Sequence, residues 1–111
     1  MAFVRVYTGD DGKTHFEDLD SQPPEAEELL NRPNVTFSIS RRTDGHFEDW
    51  HPSPARSYGM TLSGQVEIGV EDGTVRRFGP GDSILFDDAT GKGHTTRIVG
   101  LRWYVTVRLP G

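Results

Sequence analysis

The sequence predicts an all-β barrel or sandwich, and three observations carry that expectation. Several short stretches alternate apolar and polar residues with the period of a half-buried strand. Gly, Pro and Asp recur between those stretches at the near-regular spacing of turns. No strand–helix–strand unit of the length a parallel sheet requires breaks the series. Composition agrees: the 111 residues include 13 Gly and 7 Pro and are 33% hydrophobic, as suits many turns around one core. A single domain is expected at this length.

The elements follow in order. Phe3 to Tyr7 alternates as a strand, and Thr8-Gly9-Asp10-Asp11-Gly12 after it has turn chemistry. A second short strand is expected over Thr14 to Glu17. In SQPPEAEELLNRPN, Pro23 and Pro24 suit a first helical turn and the acids Glu25, Glu27 and Glu28 suit the positive end of the dipole. Pro33 ends the segment. That short helix, over Pro23–Leu30, reads as a lid or edge element rather than core. From Asn34 the period is β throughout, beginning with Val35, Phe37 and Ile39. Strands are expected at Tyr58–Leu62, Gln65–Val70, Thr74–Phe78, Ser83–Phe86, Thr95–Val99 and Arg102–Leu109. They are divided at Ser63-Gly64, Glu71-Asp72-Gly73, Gly79-Pro80-Gly81, Asp87–Gly93 and Gly100. Asp72-Gly73 is a strong hairpin signal, because Gly accepts a positive φ without strain. Residues 1–33 form an N-terminal section packing on a barrel of residues 34–111.

Charge and composition remove whole classes of function. A net charge of −5 argues against a nucleic-acid partner, and the pairs Arg41-Arg42 and Arg76-Arg77 are isolated. No Cys is present, so no disulfide, thiol nucleophile or Cys-bound zinc exists, and a cytoplasmic setting is expected. The opening MAFVRVYTGDDG lacks the apolar run of a signal peptide, and no stretch is long and apolar enough for a membrane span. Gly91-Lys92-Gly93 lacks the spacing of a phosphate loop, so Lys92 reads as a loop-tip charge.

The segment YGMTLSGQVEIGVEDGTVRRFGPGDSILF resembles the heart of a small single-domain cupin. Its landmarks are Gly64 closing a strand, the Asp72-Gly73 hairpin, and Gly79-Pro80-Gly81-Asp82 before a buried strand. DWHPSPARSYGMTLSG and DDATGKGHTTRIVG resemble a group of small bacterial cupins more narrowly. The resemblance covers about two thirds of the chain, Thr36 to Val107. It implies a double-stranded β-helix, or jelly-roll barrel, with one short N-terminal helix, often paired as a homodimer. It also implies a divalent metal (Zn, Fe, Mn, Ni or Cu) held by two His and a Glu from a first motif and a His from a second. Counting back from Gly64 puts the Glu position on Ser57 and the His positions on His51 and Ser53. Counting on from Gly81 puts the Pro position on Asp87, with a longer loop before His94. Two of four expected ligands are therefore present.

A third ligand for His51 and His94 would come from Asp87 or Asp88, with Glu48 or His46 as further suppliers; first-row metals usually take at least three. Alternatively, the two His are hydrogen-bonded groups of a metal-free pocket. Asp88 fits the acid-acid-x-Thr-Gly run of the narrower group, as a general base or as a cap for the loop amides of Ala89 to Gly93. Trp50, His51, Ser57, Tyr58, Met60, Asp88 and His94 make up the expected ligand pocket. Arg56 and Arg97 are candidates for holding a carboxylate, though each also reads as an exposed strand charge. The expected function is binding of a small organic molecule inside the barrel. The alternative is a metal-dependent isomerase, lyase or oxygenase.

Overall fold

The computed structural model describes residues 1–110. Its elements run β1 (Phe3–Thr8), β2 (Thr14–Asp18), α1 (Pro24–Leu30), β3 (Thr36–Arg42), β4 (Phe47–His51), β5 (Ser57–Gly69), β6 (Val75–Phe78), β7 (Ser83–Asp87) and β8 (His94–Arg108). Among the described residues, no helix is long and apolar enough to cross a membrane.

β1 and β2 form the expected hairpin, in register from Thr8↔Thr14 to Val4↔Asp18. β1 also lies parallel to β7, from Phe3↔Ser83 to Tyr7↔Asp87. The Ala2 N–H donates to the Asp82 carboxylate at 2.7 Å, so the Gly-Pro-Gly-Asp turn that starts β7 also anchors the start of the chain.

β5 and β8 set the architecture. The sequence divides each at a glycine, but both are continuous, and they pair antiparallel from Ser57↔Arg108 to Gly69↔Thr95. The physical reason lies in how a bulge differs from a turn. Register slips between Thr61 and Ser63 and again between Ser63 and Gln65, while Gly64 and Gly100 take positive φ angles of 68° and 75°. Such irregularities bend a strand without ending its ladder. At Gly64 a Cβ would lie 2.5 Å from the Leu101 carbonyl oxygen, so the bend brings the two backbones too close for any side chain there.

Because both long strands bend, each serves two layers. One layer runs β2-β1-β7-β5-β8-β3; the other is formed where β6 joins β5 and β4 joins β8. Edges remain at β2, β3, β4 and β6, so the sheet curls as a jelly roll but does not close into a barrel. Val4, Val6, Val66, Ile68, Phe78, Ile84 and Ile98 meet between the layers as the main core. Burying each such side chain contributes roughly 1.5–3 kcal/mol.

The helix is not a lid over the interior. Ala26, fully buried, packs with Tyr58, Leu85 and Leu109, and Phe3, Leu29, Leu30 and Val107 surround them. α1 thus makes a second core on the outer face of the sheet. Residues 57–60 of β5 are consequently covered on both faces, which decides where their side chains lie relative to any pocket.

Candidate functional site

β7 ends at Asp87, β8 begins at His94, and the loop between them carries the most unusual group in the molecule. The Asp88 side chain is fully buried and His94 is 2% exposed. Their contact, His94 Nδ1 to Asp88 Oδ2, measures 2.5 Å. The buried Thr14 hydroxyl donates to the same oxygen at 3.4 Å, whereas Asp88 Oδ1 has no partner among the described residues. No amide of residues 89–93 caps this carboxylate; it serves His94. A carboxylate on one ring nitrogen fixes the orientation of an imidazole and the role of its other nitrogen. Among the described residues His94 Nε2 has no hydrogen bond, and His94 lines a cavity.

His51 and His94 are register partners across β4 and β8, with ring centroids 4.7 Å apart. Phe86 stacks on the His94 ring at 5.1 Å and 26°. The His51 Nδ1–H donates to the Asp49 carbonyl at 2.7 Å, leaving Nε2 3.5 Å from Glu48 Oε1. The other oxygen of Glu48 lies 3.1 Å from His46 Nε2. Glu48 therefore stands between two imidazoles at the cavity rim.

Gly93 makes the pairing of β4 with β8 possible. It has a φ of 81°, and a Cβ there would lie 1.9 Å from the His51 carbonyl oxygen and 2.4 Å from the Pro52 nitrogen. Only glycine lets the loop pass so close behind His51.

The cavity has a volume of about 160 Å³, roughly the share of five waters in the liquid. His94, Thr96, Ile98, Arg102 and Tyr104 line it from β8, with Phe86 from β7, Arg42 from β3, Glu48 and His51 from β4, and Ser53 from the segment after β4. Arg102 is 6% exposed. Its Nε and Nη2 donate to the Thr61 hydroxyl at 3.1 and 3.0 Å, and its Cζ lies 4.3 Å above the Tyr104 ring. Burial pulls its pKa down to about 10, opposed by Tyr104 and Glu48; the guanidinium is still cationic at neutral pH.

Of the residues expected at the pocket, His51 and His94 line this cavity. Asp88 stands behind His94 instead of facing the space. Trp50 lies away from it, with Lys92 Nζ 4.4 Å above its ring. Ser57 sits in the ladder opposite Phe86 and Arg108 and does not line the space. Tyr58 and Met60 border a different, apolar cavity of about 390 Å³ on the helix side, with Phe3, Leu30 and Val107. There the Tyr58 hydroxyl donates to Gln22, and burial pushes its pKa up to about 12. Asp87 points outward to Arg5 at 2.8 Å and Arg56 at 2.9 Å, which also occupies Arg56. Arg97 covers the Phe47 ring at 4.9 Å.

Sequence reasoning missed Arg42, Phe86, Thr96, Arg102 and Tyr104. A signal for three of them exists. Counting by twos from His94 along β8 gives Thr96, Ile98, Arg102 and Tyr104, the face that a strand's alternation assigns to one side.

A metal bound by His51 and His94 with Asp87 or Asp88 does not fit this arrangement. Asp87 is committed to two arginines, and Asp88 lies behind His94. Among the described residues, no group of three or more His, Asp or Glu side chains is gathered as a metal centre requires.

No protein-family profile matches the chain, and no curated protein matches it. Solved structures do. A protein of unknown function from Rhizobium leguminosarum is 16% identical with a TM-score of 0.59, over 86% of this chain and 100% of that one. A cupin superfamily protein from Desulfitobacterium hafniense is 17% identical with a TM-score of 0.56, over 84% and 94%. A DMSP lyase from Ruegeria pomeroyi is 23% identical with a TM-score of 0.56, over 68% of this chain but 38% of that one. At these identities the likeness shows the fold, which is cupin-type.

Proposed function

We propose that this cupin-fold chain binds a small polar organic molecule in the cavity between β4, β7 and β8, with His94 as its hydrogen-bonding or proton-exchanging group. The observation that carries this reading is the Asp88–His94 pair. A buried carboxylate given over to one imidazole nitrogen is costly to maintain, and its effect is to hold the other nitrogen ready at the cavity. His51 beside it, Phe86 against its ring and the polar groups of Thr96 and Tyr104 make a concave space with convergent polar groups and the apolar walls of Phe86 and Ile98.

The competing reading is a divalent metal on His51 and His94 in an isomerase, lyase or oxygenase. Its support is that ligating imidazoles usually donate their second nitrogen to a carboxylate, as His94 does. The fold shared with a DMSP lyase is compatible with it. Against it stands the missing third ligand. A thermal-stability screen of small polar organic compounds, and separately of Mn, Fe, Ni, Cu and Zn salts, distinguishes the two. A compound at a hundred times its Kd stabilises the fold by about 2.7 kcal/mol. We expect such stabilisation by organic compounds without added metal, and its loss in His94→Gln. Stabilisation by metal ions alone, abolished by His51→Ala with His94→Ala, would establish the competing reading.

Exposed apolar side chains on β3, β5 and β8 support pairing of two copies. Phe37, Ile39, Leu62 and Trp103 are 66%, 56%, 54% and 41% exposed, and Phe37 and Ile39 stand opposite Val107 and Val105 in the ladder. Light scattering is expected to give twice the monomer mass; a monomer in both wild type and Ile39→Lys would end this proposal.

A further inference from the structure

Resting on the reading that this cavity takes a small organic ligand, we infer that the ligand is a carboxylate seated on the guanidinium of Arg102. The group is unusual for its position. Arginine is rarely buried without a partner, yet Arg102 is 6% exposed and, among the described residues, has no carboxylate within ion-pairing distance. Its contacts to the Thr61 hydroxyl use Nε and Nη2. A neutral hydroxyl holds the guanidinium in place without neutralising it. Among the described residues Nη1 has no acceptor, and Arg102 lines the cavity.

Of the other charged groups of the cavity, Arg42 favours an anionic ligand, whereas Glu48 does not. Glu48 is the carboxylate facing Arg102, but its two oxygens lie against His51 and His46, at 3.5 and 3.1 Å. Arg42 adds a second guanidinium, which among the described residues donates only to the Arg41 carbonyl. Arg102 and His94 lie on the same face of β8 and both line the cavity, so its walls offer a bound molecule a cation as well as an imidazole. A planar guanidinium matches a carboxylate in shape as well as charge. The small volume admits a short-chain acid and little more. The buried charge of Arg102 is then the counterpart of a charge that the ligand brings.

The test uses propionate and propionamide, which have the same size and shape and differ in charge, titrated at low ionic strength into isotope-labelled protein. Propionate is expected to shift the backbone amides of Thr61, Arg102 and Tyr104 saturably, and to bind about tenfold or more tighter than propionamide. Arg102→Met, which keeps the packing, is expected to remove that preference, and Arg102→Lys to retain part of it. If Arg102→Met does not fold, the comparison of the two probes on wild type decides alone. Equal binding of both probes, or a propionate preference that survives Arg102→Met, overturns the inference. Should neutral compounds shift Phe86, His94 and Thr96 while propionate shifts nothing, the cavity still binds ligands and only the carboxylate assignment falls. Should no small compound, charged or neutral, shift either set, both readings fall.

Discussion

Replacing Gly93 with alanine is expected to unfold the candidate site and to cost about 4 kcal/mol or more in stability. Two effects add. A left-handed backbone at an L-residue costs roughly 1–2 kcal/mol. The greater effect is steric, because the new methyl carbon would stand 1.9 Å from the His51 carbonyl oxygen and 2.2 Å from its carbon. Both are backbone atoms, so no side-chain rotation relieves the clash. Either β4 lifts from β8 or the loop after Asp88 refolds, and both separate His51 from His94. Gly73→Ala is the control: its φ is 92° with nothing within 4 Å, so only the backbone cost of about 1–2 kcal/mol applies. Urea unfolding at unchanged m-value measures both variants, and equal losses would contradict the close approach described at Gly93.

The second large effect is expected from Asp88→Ala. It removes the acceptor of the His94 Nδ1–H inside a site closed to water and leaves a void beside it. Breaking one side of a buried polar pair typically costs about 3–5 kcal/mol. Asp88→Asn keeps the shape and one acceptor oxygen, so a smaller loss of about 1–3 kcal/mol is expected. Ligand stabilisation should fall in both, because the carboxylate that orients the His94 ring through its Nδ1 is lost. Stability and ligand response measured on the same samples check this. Full ligand response in Asp88→Asn would mean that the carboxylate charge has no part in binding.

The fold was legible because its signals are local. Alternation placed nearly every strand, and Asp72-Gly73 and Gly79-Pro80-Gly81 placed their turns. What local signals lack is the distinction between a glycine that ends a strand and one that bends it. Gly64 and Gly100 read as breaks, yet β5 and β8 run through them, since the partner backbone at Leu101 is known only once the strands pair. The site was half legible for a related reason. In the Tyr58–Leu62 stretch the apolar residues alternate, and an apolar face is naturally assigned to the interior. Here α1 covers the outer face, so Tyr58 and Met60 pack beneath the helix while Gly59 and Thr61 take the inner side. Hydrophobicity cannot tell the faces of a strand apart when both are covered. Arg102 was hidden by the opposite bias, because an arginine in a strand reads as a solvated charge. His51 and His94 were legible through motif spacing, which depends on chain connectivity rather than burial.

Alternatives to the His94 cavity include the apolar cavity under α1 and a cleft of about 260 Å³ beside Arg56 and Asp87. Amide chemical-shift mapping with a library of small polar compounds tests the central claim most directly, because each space has its own reporters. Shifts centred on Phe86, His94, Thr96 and Tyr104, and absent in His94→Gln, are the predicted result. Shifts centred on Leu30, Tyr58 and Met60, or on Arg56 and Ala89, with the His94 face unmoved, would contradict it.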